Sequence, residues 1–130
     1  MLADYANVTT DGKLNVMGVI GGMTATHVPV THRSLYLISR FEARITEGTH
    51  HTVQIALADT DGCEIVPKLA PIPLYFEIMG PGRPLRAQLV MEFPDLQLPV
   101  FGEYDFHIFV DGEYLDSVPL YLERAPERAG

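Results

Sequence analysis

Five histidines, one cysteine and three serines are the groups in this sequence that could ligate a metal or attack a carbon centre. A zinc site needs ligands at short paired spacings together with a distant pair. His27 and His32 flank Pro29, and nothing in between fixes their geometry. His50 and His51 are adjacent, so on a strand they point to opposite faces and cannot share an ion. His107 stands alone, and Cys63 cannot supply the remaining ligands. Neither a metal nor a cofactor is expected. Asp59-Thr60-Asp61-Gly62 opens like a calcium loop, but the twelfth position is Ala70 where a bidentate glutamate belongs.

Nucleophilic chemistry is equally unsupported. Ser34, Ser39 and Ser117 lack a Gly-x-Ser-x-Gly setting. Cys63 follows a hairpin turn and is expected to be a small buried hydrophobe. Gly18, Gly21 and Gly22 have no helix behind them to cradle a phosphate. No catalytic residue is named by the sequence, and the expectation is a protein that is not an enzyme. The competing reading is a hydrolase assembled only in space, with His27 or His32 beside a carboxylate.

Charge narrows the partners. Seventeen acidic against nine basic residues leave a formal charge of −8. That counts against nucleic acid, which is bound through a basic face, and against an anionic membrane surface. From Glu92 to Glu123 there are eight acidic residues and no lysine or arginine, whereas Arg33, Arg40 and Arg44 gather on one stretch. Such a polar molecule can stack on itself or dock a basic partner. A lone cysteine fits a reducing compartment. No basic-then-apolar leader and no apolar run of about 18 residues is present, so a cytoplasmic protein is expected.

The elements that must position these groups read as strands. Leu85, Ala87, Leu89, Met91 and Phe93 alternate with Arg86, Gln88, Val90 and Glu92, and similar period-two runs recur along the chain. Asp11-Gly12, Asp61-Gly62 and Asp111-Gly112 sit between apolar runs, where Asp-Gly favours a two-residue hairpin. Nine strands are predicted, near 2–8, 14–21, 35–45, 51–59, 63–66, 74–79, 85–93, 104–110 and 118–123. Seven of the ten prolines lie between Pro67 and Pro99, which assigns that stretch to edge strands and connections. Tyr104, at a strand start after Leu98-Pro99-Val100-Phe101-Gly102-Glu103, matches a tyrosine corner. The expected fold is all-β: an antiparallel Greek-key β-sandwich of immunoglobulin or fibronectin type over residues 1–124, with a flexible tail at 125–130.

Function is expected to be non-enzymatic, through association with a protein partner or with itself as a homo-oligomer. The candidate surface has two parts. His27, His32 and Arg33 belong to a donor-rich loop at 24–34, which could alternatively bind a small ligand. Phe109 and Tyr121 lie on the polar phases of their strands and would form an exposed aromatic patch if those strands are neighbours.

Asp4-Tyr5-Ala6, Asp11-Gly12-Lys13-Leu14-Asn15 and Gly18 at one end, with Gly102, Tyr104, Phe106, Asp111-Gly112 and Pro119-Leu120 at the other, resemble a family of small bacterial proteins known as a domain of unknown function. The resemblance spans most of the chain. It implies a stand-alone β-sandwich and carries no activity, cofactor or catalytic residue.

Overall fold

The computed structural model describes residues 1–11 and 13–125. The tail expected at 125–130 lies outside the described residues except for Ala125, whose N–H donates to the Ala25 carbonyl at 2.9 Å. Gly12 of the first hairpin turn also lies outside them.

Among the described residues ten strands form: β1 Leu2–Val8, β2 Leu14–Ile20, β3 Gly22–Ala25, β4 Val30–Ala43, β5 His50–Asp59, β6 Glu64–Val66, β7 Ile72–Tyr75, β8 Leu85–Leu98, β9 Gly102–Val110 and β10 Glu113–Arg124. One 3-10 turn, Ile45–Glu47, joins β4 to β5. No helix among the described residues is long and apolar enough to cross a membrane.

Two open sheets result, in the orders β2-β1-β4-β8 and β3-β10-β9-β5-β6, with β7 also pairing β5. Every pairing is antiparallel except β3 with β10, which is parallel. The second sheet is therefore mixed, which corrects the wholly antiparallel expectation. The cause is a sheet switch: β2 ends at Ile20 in one sheet, and after Gly21 the chain enters the other sheet as β3. It arrives running the same way as β10. No hairpin joins β3 to β10, so no turn signal marks their pairing.

The two sheets share one apolar core. Leu35, Leu37 and Phe93 of the first meet Ile55, Leu57 and Phe106 of the second in a single buried cluster, and the Phe93 and Phe106 rings stand 5.0 Å apart. Alternation explains which residues enter it, with one interruption. Leu35 is buried, yet further toward the start of β4 His32 and Val30 are half-buried while Arg33 and Thr31 are exposed. The buried phase thus changes between positions 32 and 35. Its partner strand does the same at Asp95, where φ is 49°: Phe93 and Leu96 are both buried. Pro94 stands inside β8 because β8 is an edge strand, where a missing donor removes no interior ladder bond.

Tyr104 is fully buried. Its hydroxyl donates to the Val100 carbonyl at 2.5 Å and accepts the Val100 N–H at 3.1 Å. This ties the start of β9 to the connection from β8, as the tyrosine-corner pattern requires.

Candidate functional site

The 24–34 loop is shorter than expected. Thr24 and Ala25 belong to β3, and Val30 already begins β4, so positions 26–29 alone form the connection. The pairing of β3 with β10 and of β4 with β8 supplies backbone partners there, and these override the loop-like composition. His27 is exposed on the short turn, with Nδ1 3.0 Å from Thr26 Oγ1. His32 faces a recess of about 280 Å³ whose lining includes Asp4, Ile20, Met23 and Leu122. Arg33 points to solvent beside it.

Phe109 and Tyr121 do lie on neighbouring strands, but not side by side. Phe109 stands opposite Tyr114, whereas Tyr121 stands opposite Glu103. Six residues of β9 separate the two positions, roughly 20 Å at strand rise. Phe109 is half-buried beneath the Lys68 ammonium, 3.9 Å from its ring centroid, and packs edge-on against Tyr114. Phe109 and Tyr121 therefore do not form one aromatic patch.

Cys63 is exposed, not buried. Asp59 Oδ1 accepts the N–H groups of Asp61 and Cys63, both at 2.9 Å, which holds Cys63 in the turn before β6 begins. The side-chain bonds that make aspartate a turn former decide its place here, ahead of the thiol's preference for burial. Among the described residues no three His, Cys, Asp or Glu side chains converge as metal ligands.

One titratable pair escaped sequence reasoning. His51 Nδ1 lies 2.6 Å from Asp111 Oδ2 and Nε2 lies 2.9 Å from the Gly48 carbonyl. Both ring nitrogens face acceptors, an arrangement that only the doubly protonated imidazolium satisfies in full. The Asp111 hydrogen bond, then the Gly48 carbonyl, raise the His51 pKa. The His51 bond, then the Thr52 N–H, lower that of Asp111. The pair clips the turn at 47–48 to the hairpin at 111–112, and the His51 ring also packs on Phe76 at 5.1 Å. Its contribution to stability is fully present below the ordinary histidine pKa of about 6.5 and is lost as pH rises through the raised value. On the acid side it persists down to the ordinary aspartate range, near 3.9, and is lost as pH falls through the lowered value. The difference in melting temperature between the native protein and His51→Gln is expected to be largest near pH 5–6 and to shrink on both sides. A difference that stays flat across that range would remove the charged clip.

The free strand edges differ in how they are protected. An exposed edge invites pairing with another chain unless charge, proline, a bulge or shortness prevents it. β8 is bridged at Arg86 by Glu77 and beyond it carries Glu92, Pro94 and Asp95. β6 is three residues long with Glu64, β7 is four residues long with Pro73, and β3 has four residues. The first half of β10, which β3 does not reach, carries Glu113, Asp116 and a bulge between Tyr114 and Asp116. β2 differs: Leu-Asn-Val-Met-Gly-Val-Ile has no charge and no proline. It pairs only β1 among the described residues, and it leaves Met17 at 66% and Val19 at 67% exposure. Gly18 adopts a φ of 69°, which favours glycine, and the exposed Asp4 side chain across the pair fills the space a Cβ would take, with Oδ2 2.5 Å from that position.

β2 and the first half of β10 flank the same opening between the sheets. Leu14 and Val16 from one side, Leu115, Asp116 and Val118 from the other, with Arg40, Phe41 and Ile108 between, line a groove of about 720 Å³ of mixed polarity. Sequence reasoning found β2 as a strand. The signal it passed over was seven consecutive uncharged residues, which matter only once the strand is known to be an edge.

A model of a family of unknown function, DUF6941, matches residues 1–123. No curated protein matches the chain. Among solved structures, Pseudomonas fluorescens alkylpurine DNA glycosylase AlkC, bound to DNA containing an abasic site analog, is similar at 19% identity and a TM-score of 0.44. That match covers 78% of this chain, which spans 27% of the glycosylase chain.

Proposed function

We infer the role of this chain, which belongs to the DUF6941 family of unknown function, from its open side: it is a Greek-key, immunoglobulin-like sandwich module that works by protein–protein association and not by catalysis. The tyrosine corner at Tyr104 and the repeated crossing between two sheets over one core support the immunoglobulin-like reading. The observation that carries association is β2, a free edge without charge or proline that exposes Met17 and Val19. An acidic surface and a single exposed thiol fit protein partners in a reducing compartment such as the cytoplasm.

Site-specific photo-crosslinking in cells tests the reading. A crosslinking residue at Met17 or Leu115 is expected to give discrete protein adducts, while one at exposed Val100 gives none. The absence of adducts at both edge positions would overturn association through this side.

A further inference from the structure

We propose that the recess behind the switch from β2 to β3 is a binding site for a small organic cation, a primary ammonium on a short apolar stem. Occupancy of this recess is independent of what pairs with the β2 edge, so the site goes beyond the association reading above.

Strand phase places the polar groups. His32 stands opposite the core residue Leu96, so it holds the inward phase of β4. Asp4 follows Leu2 by two positions, and Leu2 pairs Leu37 on the core side, so Asp4 holds the inward phase of β1. Asp4 and His32 are the titratable side chains of the described lining. Ile20, Met23, Val30 and Leu122 supply apolar walls, and each belongs to the shared core or packs against it. At about 280 Å³ the recess lies just below the usual range for ligand pockets, roughly 300–1,000 Å³, which limits its guest to a small molecule.

Charge and hydrogen-bonding capacity select the class of guest. Among the described residues no lysine or arginine lines the recess. Arg33 points to solvent, and Arg124 is held by the Thr26 carbonyl and the Phe101 ring. The ion pairs among the described residues are Lys13–Asp11, His51–Asp111 and Arg86–Glu42, so none of them neutralises Asp4. An ionised carboxylate only accepts, and a neutral imidazole keeps one accepting nitrogen, so the two call for a donor-rich guest. An ammonium brings three N–H donors and the opposite charge. An anion is repelled by Asp4 and by the formal charge of −8. A neutral apolar guest displaces water from Asp4 and returns no hydrogen bond. A bound metal ion takes more protein ligands than this pair supplies, and no such cluster converges among the described residues.

An amide NMR titration of the full chain with 2-phenylethylammonium chloride reads the result, with 2-phenylethanol and phenylacetate as the neutral and anionic analogues. The ammonium is expected to shift the amides of Asp4, His32 and residues 21–24 saturably, with a dissociation constant of about 0.1–1 mM. The alcohol is expected to bind at least about ten-fold more weakly, and the carboxylate not at all. Asp4→Asn keeps the shape of the side chain and removes its charge. It is expected to bring the ammonium down to the level of the alcohol while leaving the alcohol unchanged, whereas a purely structural role for Asp4 would weaken both alike. Asp4 is exposed, so the variant is expected to melt close to native. Equal binding of ammonium and alcohol by the native protein overturns the proposal, as does the lack of a saturable shift up to about 10 mM. Saturable shifts confined to other residues, or a preference for ammonium that survives Asp4→Asn, overturn it as well. If the variant does not fold, the ranking of the three probes on the native protein decides.

Discussion

Phe106→Ala is expected to lower the folding free energy by about 3–5 kcal/mol, a large part of the about 5–15 kcal/mol that holds a domain of this size together. Phe106 is fully buried on β9, and its ring meets Phe93 of β8 across the space between the sheets. Truncation removes transfer free energy and leaves a cavity that neither sheet can close, because each is held by its own backbone ladder. The check is a chemical denaturation curve, in which the midpoint falls and the slope stays near native. A cost under about 1 kcal/mol would mean that the sheets do not share this core.

Tyr104→Phe is expected to cost about 1–3 kcal/mol, although the two rings are nearly the same size. The substitution deletes the donor to the Val100 carbonyl and strands the Val100 N–H. Both bonds are part-buried, so water does not replace them freely. Tyr36→Phe is the matched control. The Tyr36 hydroxyl donates to Glu92 at 3.1 Å in an exposed setting, and its loss is expected to change stability by less than about 0.5 kcal/mol. Equal effects from the two substitutions would argue that the corner contributes no more than a surface bond.

The core and the clip respond to different variables. Phe106→Ala is expected to lower the stability of the fold at every pH, and His51→Gln to change how stability varies with pH.

Much of this architecture is legible in local pattern. Alternating apolar residues place β1, β5 and β9 within a residue or two of where they form. Asp61-Gly62 and Asp111-Gly112 mark two hairpins, and Tyr104 makes the bonds that its context predicts. These features depend on interactions within a few residues, and period two is a property of the strand itself. Three others were not legible. β3 is four residues long and pairs in parallel with a strand about a hundred positions away, so no local signal announces it. The phase change between His32 and Leu35 faces the left-handed backbone of Asp95 across the sheet, in an unbroken register. The residue type of Cys63 points to the interior, whereas the bond from its N–H to the Asp59 carboxylate keeps it outside.

The sequence by itself determined an all-β chain with an acidic surface, because strand propensity, alternation and charge are counted residue by residue. It also determined that β2 would be uncharged, and that Phe109 and Tyr121 would point away from the core. Only the tertiary structure decided that β2 is an edge, that Phe109 and Tyr121 sit at opposite ends of their strands, and that His51 meets Asp111. Those facts turn on sheet order and register, which are set by how distant apolar faces pack together. A strand carries the same side chains at the centre of a sheet as at its rim. Its neighbours decide whether its backbone is satisfied or free to pair.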